Sequence, residues 1–502
     1  MTPGAPVGHA PATYGGWQSE VAGFVGRASV GEFVLAAAAF LSLAFVRVGG
    51  MGASQWVWTA LRHAVSVCAG GNQFLSGAFA PWRLGDDGQP EQPMHLPGVL
   101  ARLTVLAAPT GTGAEVAVVH DPSDSTVTAV LRLRYPGLAL ADQDLQGRRV
   151  SAWGTFLASV CGETGAISRV AVVERAQPDD GTALASWTDQ HTAVDAPAAA
   201  VESLTGLLRE AGPSACNRHT YLSVTLAVRR ARASVRAAGG GPGGAAAVLL
   251  RELFAMQTAL AAADLRVEAW LGPRQLAEVI RTGFDPDSVP ALATRRASPA
   301  RTGSTATGSP APGSPAAVAG VDPALAGPAA AHTSWSTYRH DGAHSVTYQV
   351  RHWPRSPVLA TALHPLLRPR PGARRSFALV CEPIPPSRAR RALARDRTRR
   401  HVLISLRRRS GRLDSPDDLA DLARADRQDQ ARAAGHGLLR FVGLVTVTVT
   451  DEAVLEAACC DLQADAGAAR LELRRLYGAQ DSGFAACVLP LGQGLPVRRG
   501  DL

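Results

Sequence analysis

At 502 residues the chain is long enough for two or three domains, and 46% hydrophobic against 19% charged residues lets most of it bury a core. Its net charge of +9 suits an anionic partner or the inner face of a membrane. Lysine is absent, so every positive side chain is arginine, which excludes a P-loop lysine, a Schiff base and a lysine general base.

Residues 1–16 are rich in Pro, Gly and Ala and read as a disordered tail. Residues 17–80 read as a membrane anchor followed by an amphipathic helix. The apolar run Phe33–Val46 would place Phe33, Leu35, Phe40, Leu41, Leu43 and Phe45 in lipid, with Trp56 and Trp58 at the interface. The run is shorter than the roughly 20 residues a spanning helix needs, so a core helix competes with this reading. A signal peptide is disfavoured, because the run starts late and no small-residue cleavage site follows. Gln55–Val67 has the pattern of an amphipathic helix leaving the membrane.

Leu84–Pro97 is polar and marks a boundary. A first α+β domain is expected over 84–296. It opens with three strands, Leu103–Ala107, Glu115–His120 and Thr126–Arg134, joined by turn residues. Then follow a helix over Asp144–Cys161, a strand over Ile167–Glu174, and helices over Thr182–His191 and Pro197–Ala211. The domain closes with strand Thr220–Val228, helix Ala245–Ala263, strand Leu265–Leu271 and helix Pro273–Thr282. From Ala297 to Pro328 the composition collapses to Ala, Gly, Pro, Ser and Thr, so 297–333 reads as a linker.

A second α+β domain is expected over 334–502. Its strands are His344–Trp353 and Ser376–Glu382, followed by an Arg/Asp-laced helical hairpin over Ser387–Gly435. The C-terminal stretch repeats the earlier order: strand Leu439–Val449, helix Asp451–Ala469, strand Leu471–Tyr477, and an amphipathic segment through Phe484 with the tail Leu489–Leu495. Two strand–helix–strand–helix units point to a duplicated module, and the fold class expected is α+β behind an N-terminal membrane or amphipathic helix.

Candidate motifs for chemistry are weak. In APTGTGAE (Ala108–Glu115) the lysine position of a phosphate loop holds Ala114, and strands surround it, as in a hairpin turn. GGGPGG (Gly239–Gly244) matches a dinucleotide fingerprint literally. However, ten residues (Arg229–Ala238) separate it from the strand, where a tight turn is required. HDGAH (His340–His344) spaces two histidines by four, yet Gly342 and the β-rich sequence after it disfavour a metal-binding helix. The seven cysteines form no CxxC, and a reducing cytosol is the natural compartment for the bulk of the chain. No metal or cofactor is expected. The arginine runs Arg229–Arg236, Arg388–Arg400 and Arg407–Arg409 read as a solvated helix face, with a membrane-facing patch as the alternative; they lack the interleaved aromatics of a single-strand binder, which disfavours nucleic acid.

The chain resembles a family of actinobacterial integral membrane proteins encoded with conjugation or secretion ATPases and often labelled the EccE component of type VII secretion. The resemblance is carried in order by YGGW (Tyr14–Trp17), VRVGG (Val46–Gly50), LPGVLA (Leu96–Ala101) and VERAQPDDGTALASW (Val173–Trp187). It continues through GGAAAVLLREL (Gly243–Leu253), WLGPRQLAEVIRTGFDP (Trp270–Pro286), YRHDGAH (Tyr338–His344) and HWPR (His352–Arg355). It ends with GHGLLRFVGLVTVT (Gly435–Thr448) and LRRLYGAQDSGFAACVLPLGQGL (Leu473–Leu495). Members of that family carry two membrane helices, whereas one short run is visible here. The resemblance implies a membrane anchor, a cytoplasmic bulk, and a C-terminal half similar to the domain preceding the motor in conjugation ATPases. It also implies a non-enzymatic role, docking a motor ATPase and channel subunits of a type VII or type IV-like machine, with membrane lipid and a homo-oligomer as further partners. Tyr477, Phe484, Leu489 and Leu491 are the residues expected to seat the C-terminal module against its neighbour. The competing reading is a soluble nucleotide- or nucleic-acid-binding protein that uses Gly239–Gly244 or the arginine runs.

Overall fold

The computed structural model describes residues 47–48, 51–76, 94–297 and 320–494, apart from 111–112, 138–140, 164, 179–180, 194, 212–215, 355, 357, 360, 369, 371 and 410–415. The expected tail over 1–16, the apolar run Phe33–Val46 and most of the expected linker therefore lie outside the described residues. Contacts divide the chain into two units, Met1–Val65 and Ser66–Leu502. In the first, β1 (Arg47–Val48) and β2 (Met51–Gly52) pair antiparallel and helix α1 (Ala53–Cys68) begins.

The second unit is mixed α+β. After β3 (Gln73–Leu75) come β4 (Thr104–Pro109), β5 (Glu115–Asp121), β6 (Thr126–Arg134), α2 (Gln143–Ser159) and β7 (Ile167–Pro178). Helices α3 (Thr182–His191) and α4 (Ala198–Ala211) lead to β8 (Cys216–Ala227), then to α5 (Arg232–Ala237), α6 (Gly241–Ala262) and β9 (Arg266–Trp270). Helices α7 (Pro273–Phe284) and α8 (Ser288–Ala297) close this half. The other half runs β10 (Ala330–Thr333), β11 (Tyr338–His340), β12 (Ala343–His352), β13 (Ala373–Ile384), α9 (Pro386–Arg409) and α10 (Pro416–Ala433). It ends with β14 (Leu438–Val449), α11 (Leu455–Ala468), β15 (Glu472–Arg475) and α12 (Gln480–Val488).

Strands β3 to β15 form one 13-stranded sheet, ordered β3-β10-β11-β12-β14-β13-β7-β8-β6-β5-β4, with β15 beside β12 and β9 beside β6. The regions 84–296 and 334–502, expected as two α+β domains, both contribute strands to this sheet. The two regions share a sheet because β7 and β13 pair antiparallel, Arg375 opposite Ala176 through Cys381 opposite Val170. Each strand would otherwise present a long unpaired edge, and the join satisfies both.

Both faces of this sheet are covered, so its central strands are apolar on both sides rather than strictly alternating. On one face Leu131, Leu222 and Val224 pack against α2 and α6 through Phe156, Leu249 and Leu253. On that same side of the other half, Val346, Tyr348, Val445 and Val447 meet α11 through Leu455, Cys459 and Leu462. The opposite face is covered by α7, α12 and the segment after it, with Leu276, Ile280, Phe284 and Phe484 in one core. Helix α7 starts where Gly272 N–H is accepted by Gln275 Oε1 and Pro273 occupies the first turn. Leu276, Ile280 and Phe284 then recur every fourth residue along its inward face.

Candidate interaction surfaces

The sequence motifs fall into ordinary structural roles. APTGTGAE forms the β4–β5 hairpin, in which Thr110 N–H and Oγ1–H both donate to Ala114 O. The glycines of Gly239–Gly244 join α5 to α6, helix to helix. A side chain at Gly244 would strike Val235 O, so the residue is kept small by packing within that corner. HDGAH is the β11–β12 hairpin, with Asp341 at φ 48°. His340 is fully buried there. Its Nδ1–H donates to Phe284 O, and its Nε2 accepts from Ser345 Oγ at 2.8 Å, which in turn accepts from Thr448 Oγ1 at 2.7 Å. Burial pushes its pKa down to about 4, with His344 adding to the shift, so the ring is neutral. Among the described residues no group of three His, Cys, Asp or Glu side chains is placed to hold a metal ion.

The four residues expected to seat the C-terminal module divide. Phe484, Leu489 and Leu491 are each 1% exposed and face the interior, so they are not a surface for a partner. The neighbour they meet belongs to the same chain. The Phe484 ring lies 5.4 Å from Phe284, 5.2 Å from Tyr338 and 4.5 Å from His340. Leu489 fills the space that a side chain at Gly283 of α7 would need. Tyr477 is half-buried and stacks 6.0 Å from Trp335. Cys459 and Cys460 point apart, the first buried and the second exposed.

Three surfaces lie where partners can reach. On α1, Val57, Trp58, Leu61 and Val65 share one face of the helix and are 53–63% exposed. Trp56, the other expected interfacial tryptophan, is half-buried. Helix α6 is the one described helix long and apolar enough to cross a membrane, but Leu249 and Leu253 bury its inner face on the sheet.

The second surface is the α3–α4 pair inserted between β7 and β8. Leu184, Trp187, Val201, Leu204 and Leu207 are exposed on it. Trp187, His191, Val201 and Leu204 line a groove of about 240 Å³, smaller than a drug-sized pocket and suited to a few side chains. The third is the α9–α10 pair, inserted in the same way between β13 and β14. The antiparallel register of β7 and β13 sends the two helical pairs from opposite ends of the sheet. Composition signalled the α9–α10 arm directly, but nothing in the helical period of α3 and α4 distinguished their exposed apolar residues from core.

Comparison with family models and with curated proteins finds no match for this chain.

Proposed function

We propose that the chain is a membrane-anchored, non-catalytic structural subunit of a bacterial secretion or conjugal-transfer apparatus, EccE-like or type IV-like, that docks a partner motor ATPase. The observation carrying this reading is the exposed apolar face of α1, Val57–Trp58–Leu61–Val65, close behind the apolar run Phe33–Val46. A helix with such a face lies at a lipid interface or against another protein. The ordered motifs from Tyr14 to Leu495 supply the machine, by resemblance. A cytoplasmic bulk is supported by the cysteines: the six described outside strand β8 are all unpaired thiols.

In this reading the sheet is a docking platform made of two copies of one module. Support comes from the connectivity. β6 pairs with β8 and, in a register that shifts once along the pairing, with β9; β12 pairs with β14 and, again with one register shift, with β15. The two helices that cover the shared face carry Thr282-Gly283-Phe284 and Ser482-Gly483-Phe484, whose rings meet. The modules differ in their inserted arms, apolar in the first and basic in the second, which gives the platform two chemically distinct ends.

The test is co-purification. Extracted from its native membrane in mild detergent, the chain is expected to migrate in a complex with a motor-class ATPase. A chain that is recovered alone, while the ATPase assembles without it, contradicts the subunit role.

A further inference from the structure

The chain's positive charge is concentrated in one arm. Between Pro386 and Ala433 stand fourteen arginines and seven aspartates, so this arm carries +7 of the net +9. Helix α9 buries Ala389, Leu393 and Ile404, and its Arg397 lies near Asp426 and Asp429 of α10 at 3.8 and 3.7 Å. Its outer side is different. Arg395, Arg399, Val402, Leu406 and Arg409 follow at spacings of four, three, four and three, which places them on one stripe about 20 Å long. All five are exposed, Val402 by 50% and Leu406 by 55%, with Val402 at the rim of the α9–α10 groove that Asp429 and Arg432 also line. The three arginines of the stripe have no ion-pair partner among the described residues.

We infer that this stripe is a contact surface for anionic lipid headgroups, with the arginines on phosphates and the Val402–Leu406 pair entering the headgroup–acyl boundary. The inference rests on the membrane reading above and extends it to a second contact point. Charge complementarity selects an anionic surface. Exposed aliphatic side chains between the arginines select lipid over nucleic acid, whose phosphates offer them no apolar phase and whose bases would be met by aromatics. Arginine suits the task because its planar fork grips phosphate oxygens in pairs while its stem packs along the aliphatics. Helix α9 is tied to the body of the protein at its first turn, where Ser387 N–H and Oγ–H donate to Glu163.

The assay is tryptic cleavage of the full chain incorporated in vesicles, because every arginine of the stripe is itself a cleavage site. Each basic side chain at an anionic surface strengthens association about fivefold. Cleavage within 388–409 is therefore expected to slow at least about tenfold on phosphatidylglycerol-containing vesicles relative to pure phosphatidylcholine vesicles. The protection is expected to vanish as salt rises from about 0.1 M to about 1 M, which shortens the Debye length from about 10 Å to about 3 Å. A Val402→Asp, Leu406→Asp variant, with every arginine retained and its melting temperature unchanged, is expected to lose most of the protection. Equal cleavage on both vesicle types overturns the inference. So does protection by duplex DNA at the same phosphate concentration that equals or exceeds that by lipid. Flotation with neutral vesicles reads the N-terminal anchor separately. A chain that floats with its arm unprotected refutes only the stripe. One protected on anionic vesicles that never floats with neutral ones refutes only the anchor.

Discussion

Replacing Phe484 with alanine removes a ring that is 1% exposed and lies among Phe284, Tyr338 and His340. Truncating a buried phenylalanine costs about 3–5 kcal/mol through lost transfer energy and the cavity left behind. The three neighbouring rings are held by sheet strands and by α7, so they cannot collapse far into the space. Their contacts with Phe484 add about 0.5–1.5 kcal/mol each where the geometry is favourable. The loss is therefore expected in the upper half of that range. Phe284 belongs to the first half of the sheet and Phe484 to the second, so the transition should move as a whole instead of splitting in two. Urea unfolding of the detergent-solubilised chain, followed by tryptophan fluorescence, measures this as a lower midpoint at constant slope. Leu406→Ala, on the exposed stripe of α9, is the control and is expected within about 0.5 kcal/mol of the parent. A Phe484→Ala midpoint as close to the parent as that control would refute the placement of this ring at the junction of the halves.

Asp465→Asn in α11 removes the charge that meets Arg375 at 2.6 Å and Arg370 at 3.2 Å, leaving the Arg375 guanidinium, 2% exposed, without an anion. A loss of about 3 kcal/mol is expected by the same unfolding assay. His340 has a folded pKa of about 4 against an ordinary value of about 6.5, so as pH falls the unfolded chain takes up the proton first. Its contribution to stability is present above about pH 6.5 and declines as pH falls toward about 4, by on the order of 3 kcal/mol at most. His340→Asn should flatten that slope in a pH series of melting curves. Gly492 sits at φ 70° with Thr128 Oγ1 and Thr225 Oγ1 where a Cβ would be, so Gly492→Val is expected to cost at least about 2 kcal/mol. The same substitution should break the bond that Arg169 Nη1–H donates to Gly492 O.

Elements with a strong local signal were legible in the amino-acid sequence. The β-branched run TVTAVLRLR forms β6 over the residues expected, and α3 spans Thr182–His191 as its pattern indicated. Strand β8 begins four residues before its sequence pattern does, because Cys216–Asn217–Arg218–His219 are largely polar and only their pairing with β7 makes them strand. Strands β10 and β11, of four and three residues, are too short to show a period. The pairing of β7 with β13 was invisible because an apolar run such as Val170–Val173 says that a strand is buried, not which strand lies beside it. The Ala, Gly, Pro, Ser and Thr composition of Ala297–Pro328 reads as a linker, and such a composition does not say whether the strands before and after it share a sheet. Phe484, Leu489 and Leu491 were recognisable as packing residues, but whether they met another chain or their own depended on that same join. The arginines of α9 were plain from composition. Their division into a set facing α10 and an exposed stripe that runs with Leu406 and, at the rim of the groove, Val402 required knowing which side α10 covers.

Membrane retention tests the central claim most directly. After lysis without detergent, the chain is expected to sediment with membranes, to remain there through washes at high salt and alkaline pH, and to be released by detergent. Recovery of the intact chain in the soluble fraction would contradict the account.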